Sequence, residues 1–342
     1  MKDKLQWGVI GTGGIASDFV QALSASQRCR VVNVVGSSAD KGRAFAERWR
    51  LPRAAGTLEE LLADPAVEAV YVASPHPSHE AQALAAIAAR KAVLCEKPMT
   101  LDAPGTERLV SAAREQGVFL MEAFMYRCHP VVRELLARLG DGVIGAVRHV
   151  RADFAFRVPR DPRGRLFNVE LGGGGILDVG GYPISFARLI AGLVERAPFA
   201  EPRAFEAVGC IGPTGADEFS TALLSFASGF SAQATCGVFH DVGSTAVVFG
   251  EGGKIVLPHP WIPDGGRQGL DSRFIIHRDG REPEEVRVRT QLPVYAIQAE
   301  LVAESLPKLE AASPAMSWAD SLGNMRALDR WRAKLEQTVP TS

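Results

Sequence analysis

The sequence lacks closely spaced cysteines and any long apolar run. Its 342 residues contain five cysteines, and no two of them form a C-x-x-C pair. Structural zinc sites and disulfide frameworks need close spacing, so we expect neither a metal nor a disulfide. The longest apolar stretches, such as residues 83–89, fall well short of the roughly 20 residues that a membrane-spanning helix requires. We therefore expect no membrane partner.

The sequence also lacks an excess of charge of either sign. Its 38 Lys and Arg residues nearly balance its 39 Asp and Glu residues, which leaves a formal net charge of −1. No run of five or more like charges occurs, so we expect no nucleic-acid partner. At the N-terminus, charged residues precede only a short apolar run, whereas a secretory signal needs a longer one. These features predict a cytoplasmic protein.

What the sequence does contain is typical of a globular protein with two domains. The hydrophobic fraction of 46% and the charged fraction of 23% are ordinary for folded chains. The length suits two domains of ordinary size. Because the pattern of apolar residues changes near residue 123, we predict one domain over residues 1–123 and a second over residues 124–342.

The first region alternates between short apolar runs and amphipathic or alanine-rich stretches. Uninterrupted apolar runs are typical of strands that are buried on both faces, and the intervening helices connect such strands in parallel. The predicted strands are residues 5–10, 31–35, 67–73, 92–95 and 118–121, and the predicted helices are residues 15–25, 39–50, 57–63, 78–90 and 103–116. This βαβ series predicts a parallel sheet with helices on both sides.

In the second region apolar residues partly alternate with polar ones, and many short runs are joined by turns that contain glycine. This pattern is typical of antiparallel strands with one face solvated or covered by a partner. The predicted strands are residues 143–156, 205–211, 219–226, 231–238, 246–249, 254–257, 273–277 and 285–289, and the predicted helices are residues 129–139, 176–191, 295–309 and 318–336. We therefore predict an α/β protein, with an N-terminal Rossmann parallel sheet and a C-terminal α+β domain built on a mainly antiparallel open sheet.

A glycine-rich turn lies between the first predicted strand and the first predicted helix. It reads G-x-G-x-x-A, with Gly11 at the tight turn, Gly13 where a pyrophosphate approaches the backbone, and Ala16 at the contact between helix and strand. Amides at the start of the helix would then face the phosphates. Outside a βαβ series the same letters would indicate an ordinary glycine-rich turn. Inside one, they predict that the protein binds a dinucleotide.

The end of the second predicted strand bears on the choice between NAD and NADP. An NAD site usually has Asp or Glu there, which accepts hydrogen bonds from the ribose hydroxyls. Here Gly36 and Ser37 occupy that position and are followed by Ser38 and Lys41. Two hydroxyls and an ammonium could hold the 2′-phosphate of NADP, with Arg43 as a weaker candidate, so we expect NADP to be preferred. The alternative is that a serine caps the next helix and that the charged side chains are solvated. Asp40 is close enough for NAD to stay a possible cofactor.

Two segments contain residues that are suited to acid–base chemistry. Lys97 follows the fourth predicted strand, at the edge of the sheet where ligands bind to open α/β proteins. Residues 172–183 are rich in glycine and contain Asp178 and Tyr182, which share one face if the segment is helical. An ammonium, a carboxylate and a phenol could orient and protonate a substrate oxygen. The alternatives are a solvated lysine, an Asp that caps a helix and a half-buried tyrosine.

Five motifs together resemble the glucose-fructose oxidoreductase/inositol dehydrogenase/MocA (Gfo/Idh/MocA) family. They are VIGTGGIA, SPHPSHE, VLCEKPMT, MEAFMYRCHP and GGGGILDVGGYP, and the segment MSWADSLGNMRALDRW also fits. Many members have His four residues after the Asp of the glycine-rich motif, where this chain has Tyr182. In this respect the chain resembles the branch with glucose-fructose oxidoreductase, dimeric dihydrodiol dehydrogenase, D-xylose dehydrogenase and 1,5-anhydrofructose reductase. The tyrosine disfavours inositol dehydrogenases and NAD-dependent glycosidases.

The resemblance implies an NAD(P)-dependent oxidoreductase that transfers hydride between nicotinamide and a sugar, polyol or related hydroxy or carbonyl compound. It implies catalytic roles for Lys97, Asp178 and Tyr182, with either Lys97 or Tyr182 as the main proton donor. The cofactor-binding residues that it implies are Gly11, Gly13, Gly14, Ile15, Ser37, Ser38, Lys41, Ser74, Pro75, His76, His79, Glu96 and Lys97. It also implies a homodimer or higher homo-oligomer that forms through the C-terminal sheet.

The implied chemistry depends on the environment of Tyr182. The charges of Lys97 and of the oxidised nicotinamide would lower the pKa of this phenol from its usual value of about 10. Asp178 would hold a substrate hydroxyl or position Lys97. We expect substrate specificity to come from the loops at residues 156–167 and 261–273. Two other functions stay open: a catalytically silent dinucleotide-binding or sensor protein, and a redox-neutral lyase or hydrolase that recycles its cofactor.

Overall fold

The N-terminal half of the chain is built on a six-stranded parallel sheet. The computed structural model describes residues 4–338 of the whole chain. The strands of the sheet are β1 (Leu5–Ile10), β2 (Cys29–Val35), β3 (Arg53–Ala55), β4 (Ala69–Val72), β5 (Ala92–Cys95) and β6 (Leu120–Glu122). Their order is β3-β2-β1-β4-β5-β6, and every neighbouring pair is parallel. The order reverses between β1 and β4, and open α/β sheets bind ligands at such a reversal.

Helices cover both faces of this sheet. They are α1 (Gly14–Leu23), α2 (Ala39–Trp49), α3 (Leu58–Ala63), α4 (His79–Ala88) and α5 (Ala103–Gln116). Side chains from α1 and α2 pack into one buried cluster, whereas side chains from α3, α4 and α5 pack into another. Strands β4 and β5 lie between these clusters and are buried at every position. Their apolar runs are therefore central strands of a doubly covered sheet, as predicted.

The short strand β3 was not predicted from the sequence. It has only three residues and lies at the edge of the sheet, where the chain shows no long apolar run. The segments expected after the third and fourth strands, at residues 74–79 and 96–98, therefore follow β4 and β5 instead. Their position at the carboxyl edge of the sheet is unaffected by this correction.

The C-terminal half is built on a second sheet of eight strands. They are β7 (Val147–Ala155), β8 (Ala204–Ile211), β9 (Asp217–Ser225), β10 (Ser231–Gly237), β11 (Gly243–Gly250), β12 (Gly253–Leu257), β13 (Asp271–Arg278) and β14 (Glu284–Arg289). Their order is β14-β13-β12-β11-β7-β10-β9-β8, and only β7 and β10 pair in parallel. Each strand coincides with a predicted one, so the predicted fold class is confirmed.

Helices pack against the second sheet and connect it to the first. They are α6 (Met125–Cys128), α7 (Pro130–Gly140), α8 (Gly181–Glu195), α9 (Val294–Ser305) and α10 (Trp318–Thr338), and a π-helical turn, Ile176–Gly180, leads into α8. The stretch Val169–Glu195 is apolar and long enough to span a membrane by composition, which the run lengths did not suggest. However, 94% of its most apolar window is buried inside the protein, where α8 packs on β7 and β10.

The two halves share the C-terminal helix. Helix α10 packs on β8 of the second sheet and also on α5 and β6 of the first. The predicted boundary between residues 123 and 124 stays a prediction. Residues 1–3, which entered the expectation of no signal peptide, and residues 339–342 lie outside the described residues.

Candidate active site

A cleft of about 940 Å³ lies at the carboxyl ends of the parallel strands. Its walls come from the turns after β1, β2, β4 and β5 on one side, and from β7, the π-helical turn and α8 on the other. The predicted residues that line it are Gly11, Gly13, Gly14, Ile15, Ser37, Ser38, Ser74, Pro75, His76, His79, Glu96, Lys97, Asp178 and Tyr182. The remaining predicted residue, Lys41, contacts Ser37 at the rim.

The turn after β1 has the shape that a dinucleotide pyrophosphate needs. Gly11 has a φ of +117°, and a Cβ atom there would lie 2.6 Å from the carbonyl oxygen of Ala73, which follows β4. At Gly13 and Gly14, by contrast, a Cβ atom would meet no other described atom within 4 Å, so the backbone faces open space. Helix α1 begins at Gly14, and its first amides are free to bind an anion. The turn therefore fits the phosphates of NAD(P).

Position 36, directly after β2, leaves no space for a side chain. A Cβ atom at Gly36 would lie 2.7 Å from the backbone nitrogen of Gly42 in α2, so close approach of this helix requires glycine. The next residue, Ser37, lines the cleft, and its hydroxyl accepts a hydrogen bond from the Lys41 ammonium at 3.2 Å. A hydroxyl and a cation are therefore adjacent where the adenosine ribose would bind.

Other polar groups at this end are engaged on α2 itself. The Ser38 hydroxyl accepts from the Lys41 amide at 3.3 Å and so caps the helix. Asp40 pairs with Arg43 at the surface, and the Asp40 side chain is 87% exposed. The serine-cap interpretation is thus correct for Ser38, while Ser37 and the Lys41 ammonium stay candidates for contact with a 2′-phosphate.

Two histidines hold the turn after β4. The ring nitrogens of the buried His79 lie 2.9 Å from the Pro98 carbonyl oxygen and 2.8 Å from that of Ser74. The Nδ1 atom of His76 lies 3.3 Å from the carbonyl oxygen of Gly172 in the C-terminal half. Burial lowers the pKa of both imidazoles, to about 3 for His76. His76 is therefore neutral at physiological pH, and it connects the two walls of the cleft.

The turn after β5 places Glu96 and Lys97 in contrasting environments. Glu96 is buried and accepts a hydrogen bond from the Tyr71 hydroxyl. Burial raises the pKa of Glu96, and the charge of Lys97 partly offsets that rise. The Lys97 ammonium reaches across the cleft, donates to the backbone carbonyl of Asp178 at 2.7 Å, and lies 3.9 Å from Asp178 Oδ1. Two predicted catalytic residues are therefore in contact.

The glycine-rich segment allows close packing at the base of Asp178. Gly174 has a φ of +116°, and a Cβ atom there would overlap the carboxylate of Asp217 on β9. That carboxylate accepts a hydrogen bond from the amide of Ile176 at 2.7 Å, at the start of the π-helical turn. The glycines thus let Asp217 fix the turn that positions Asp178.

Asp178 is an ionised carboxylate between two cations. Burial raises its pKa, but the charges of Lys97 and Arg165 outweigh burial and hold the pKa below its usual range. Arg165 donates from Nη1 to Asp178 Oδ1 at 2.7 Å. The sequence did not identify Arg165 individually, because the loop at residues 156–167 contains no recognisable motif.

Tyr182 is buried beside Lys97 but is not hydrogen-bonded to it. Four aromatic rings pack around it at centroid distances of 5.1, 5.2, 5.8 and 5.8 Å, namely Phe124, Phe154, Tyr126 and Trp261. Its hydroxyl donates to Sδ of Met125 at 3.5 Å, while the Lys97 ammonium lies 5.2 Å from the ring centroid. Burial raises the pKa of Tyr182 well above its usual value. Burial therefore dominates in this environment, and the lowering expected from Lys97 and the oxidised nicotinamide stays a prediction.

Two further cleft residues had no motif to reveal them. Tyr295 on α9 and Arg267 in the loop after β12 both line the cleft that contains Tyr182. All four tyrosines of the chain lie in or beside this part of the molecule: Tyr71, Tyr126, Tyr182 and Tyr295. The sequence contains few tyrosines, but their small number gives no indication that the segments containing them lie close together in the fold.

Comparison with known families identifies the group to which the chain belongs. Residues 5–124 match the GFO_IDH_MocA oxidoreductase family with an NAD-binding Rossmann fold, and residues 132–256 match the GFO/IDH/MocA C-terminal domain. The chain belongs to the Gfo/Idh/MocA family. The resemblance based on its motifs is confirmed, as is the expectation of an NAD(P)-dependent oxidoreductase.

Individual relatives are dehydrogenases and reductases. Trans-1,2-dihydrobenzene-1,2-diol dehydrogenase of Mus musculus is 38% identical over 261 residues, which cover 76% of each chain. The enzyme of the same name from Xenopus tropicalis is 32% identical over 339 residues, or 98% of this chain and 99% of the relative.

Solved structures extend the likeness to the whole fold. KijD10, a 3-ketoreductase from Actinomadura kijaniata in complex with NADP and TDP-benzene, is 28% identical, with a TM-score of 0.84 over 97% of this chain and 98% of its own. Aldose-aldose oxidoreductase from Caulobacter crescentus shares the fold, with a TM-score of 0.86 at 22% identity over 98% of each chain.

Proposed function

We propose that this chain is an NADP-preferring dehydrogenase or reductase that interconverts a CH–OH group and a carbonyl on a sugar, polyol or cyclic diol. The observation that carries the proposal is the contact between Lys97 and Asp178 beside Tyr182, in the cleft that contains the glycine turn. These three side chains come from distant segments. A silent nucleotide-binding protein would have no need to bring them together.

The adenosine end supports the preference for NADP. Neither Gly36 nor Ser37 supplies the acidic side chain that binds ribose hydroxyls in NAD sites. The Ser37 hydroxyl and the Lys41 ammonium lie together and can donate charge-assisted hydrogen bonds to a 2′-phosphate. In support, the reductase KijD10 was solved with NADP.

The proposed chemistry assigns proton handling to Tyr182. NADP(H), when bound, supplies the hydride acceptor or donor. Because the pKa of Tyr182 is raised, its hydroxyl stays protonated at neutral pH and can donate to a carbonyl oxygen during reduction. The Lys97 ammonium, held by the Asp178 carbonyl, stabilises negative charge on that oxygen. The ionised carboxylate of Asp178 accepts a hydrogen bond from a neighbouring substrate hydroxyl.

The lining of the reacting end suggests the shape of the substrate. Part of this lining is apolar and consists of Met125, Phe154, Phe156 and Ile262. Another part is charged and consists of Lys97, Asp178 and Arg165. A ring with an apolar face and two adjacent oxygens would match both kinds of lining. The names of the Mus musculus and Xenopus tropicalis relatives support a cyclic vicinal diol or its hydroxy-ketone.

We also propose that two copies associate through the eight-stranded sheet, in the cytoplasm. Val208 on β8 and Leu223 on β9 are 64% and 58% exposed, and exposed apolar side chains on an open sheet are typical of a partner surface. Sedimentation of the protein should give a dimer that Leu223→Lys weakens.

The division into two domains between residues 123 and 124 is proposed as well. It is supported by the separate family matches over residues 5–124 and 132–256.

A substrate panel tests the proposed activity. Cyclic diols, aldoses, polyols and dicarbonyls are each supplied with NADP(H) and NAD(H), while nicotinamide absorbance and product formation are followed. We expect turnover of at least one class, with a higher kcat/KM for NADP(H). Tight NADP binding without turnover would indicate a silent protein. Product formation without a net change in absorbance would indicate redox-neutral chemistry.

A further inference from the structure

The loop between β12 and β13 connects the second sheet to helix α1. We call residues 258–270 of this loop the strap. Arg267 donates from Nη1 to Asp18 Oδ2 at 3.0 Å, and the Gln268 side-chain amide donates to the Asp18 carbonyl oxygen, also at 3.0 Å. The strap therefore joins the C-terminal half to the helix that begins at the glycine turn.

Buried and hydrogen-bonded residues fix the conformation of the strap. Trp261 is buried near its start, and the amide of Asp264 donates to the carbonyl of Asp271 at 2.8 Å to close its base. The turn between them passes through Gly265 and Gly266, whose φ values of +86° and +89° favour glycine. Arg267 follows directly, so the backbone presents this side chain at a fixed place on the cleft wall.

The guanidinium of Arg267 contacts α1, the helix that begins at the glycine turn. Arg267 lines the same cleft as Gly13 and Gly14. Asp18, its partner on α1, lies about one helical turn beyond Gly14. Residues 11–16 contain no charged side chain, so the glycine turn offers amides but no cation to two phosphate charges. A guanidinium has five N–H donors, and the contact with Asp18 uses only those of Nη1.

We propose that Arg267 binds the pyrophosphate of the dinucleotide through the N–H donors that its contact with Asp18 leaves available. A charge-assisted contact of this kind complements the helix amides, which interact with phosphate only through dipoles. The cofactor site is then completed by the C-terminal half. This inference rests on dinucleotide binding and not on the proposed substrate, and it holds for NADPH and NADH alike because both contain the pyrophosphate.

Equilibrium binding measurements distinguish the contribution of Arg267 to cofactor affinity from that of the residues at the adenosine end. The dissociation constant of NADPH is measured by its fluorescence, and that of adenosine 2′-monophosphate, which lacks the pyrophosphate, by competition. Arg267→Gln should raise the NADPH constant about tenfold or more, from the usual strength of hydrogen bonds to charged groups, and leave the monophosphate constant unchanged. Lys41→Ala should raise both. Arg28→Gln, which removes a cation from an exposed ion pair with Glu304, controls for net charge.

A second variant tests whether Arg267 acts directly. Asp18→Asn removes the carboxylate but retains the backbone carbonyl to which Gln268 donates, so the strap stays attached. Because the guanidinium loses a competing anion, NADPH should bind as tightly as before or more tightly. A loss of affinity equal to that of Arg267→Gln would show that Arg267 only holds the strap, and would overturn the proposal. So would an unchanged NADPH constant in Arg267→Gln, or in Arg267→Ala if the glutamine variant does not fold.

Discussion

The two ends of the cleft are built in opposite ways. At the adenosine end, Ser37 and Lys41 belong to a single strand–helix junction, and both are exposed. At the reacting end, Lys97 and Asp178 come from different halves of the chain, with side chains only 15% and 6% exposed. One end is therefore local and solvated, whereas the other depends on the packing of the whole fold.

This difference sets the expected size of any substitution's effect. Charges in water are screened by solvent and salt, so contacts at an exposed end contribute little each. Buried charges interact in a medium of lower dielectric constant, and removing one leaves its partner without compensation. We therefore expect the largest losses at the reacting end and the smallest at the adenosine end.

The largest effect is expected for Tyr182→Phe. The variant keeps the ring that packs on its aromatic neighbours but loses the hydroxyl, so kcat should fall by about 10²–10⁴-fold, the usual contribution of a general acid. The dissociation constant of NADP should change little. Steady-state kinetics and cofactor binding together check this.

A matched control exists for this change. Tyr126 lies next to Tyr182, at a centroid distance of 5.8 Å, but its hydroxyl hydrogen-bonds the buried Ser185. Tyr126→Phe should therefore keep most of the rate. If Tyr182→Phe is as active as this control, Tyr182 is a packing residue and Lys97 becomes the remaining candidate for proton transfer.

A smaller loss is expected for Asp178→Asn. Asparagine retains the backbone carbonyl that accepts from Lys97 but removes the negative charge between Lys97 and Arg165. The loss of a hydrogen bond between charged groups should lower kcat/KM by about 10–100-fold. Kinetics over a range of substrate concentrations measures this. An effect confined to NADP binding would contradict a substrate-side role for the carboxylate.

The same contrast explains what the sequence could predict. The glycine turn and the Ser38 cap depend on one strand and one helix, so their letters and spacing are sufficient. Arg165 and Arg267 lie in irregular loops, where neither period nor motif indicates which side chain reaches the cleft. The orientation of Lys97 over the ring face also depends on how two distant segments pack. Spacing along the chain contains no information on that contact.

A buried carboxyl beside the Lys97 turn should make the free energy of unfolding depend on pH. Glu122, at the end of β6, is 3% exposed and accepts from the amide of Met99, just after the turn that contains Lys97. Burial raises the pKa of Glu122 to about 7. The folded protein therefore holds this proton more tightly than the unfolded chain, so the contribution of Glu122 to the free energy of unfolding is fully present at low pH. It decreases as pH rises from about 4 to about 7.

Glu122→Gln should remove this pH dependence. The side-chain amide oxygen of the new glutamine can still accept the hydrogen bond from the backbone amide of Met99, but the group does not ionise. Relative to the unchanged protein, the variant should gain about 3 kcal/mol in free energy of unfolding between pH 4 and pH 8. Urea unfolding at several pH values measures this. Parallel stability curves for the two proteins would show that the carboxyl titrates with its ordinary pKa.

The smallest effect is expected at the exposed end, from Lys41→Ala. Its ammonium contacts the Ser37 hydroxyl at a solvated rim, so removing it should weaken NADP binding by roughly tenfold or less and leave NAD binding unchanged. The difference should shrink as salt is raised, because exposed charges are screened. Arg43→Ala is the matched control, since it removes a cation from the same helix that already pairs with Asp40. If Lys41→Ala weakens both cofactors equally, or if the unchanged protein binds NAD as tightly as NADP, the missing acidic residue at Gly36 serves helix packing alone and the preference for NADP is wrong.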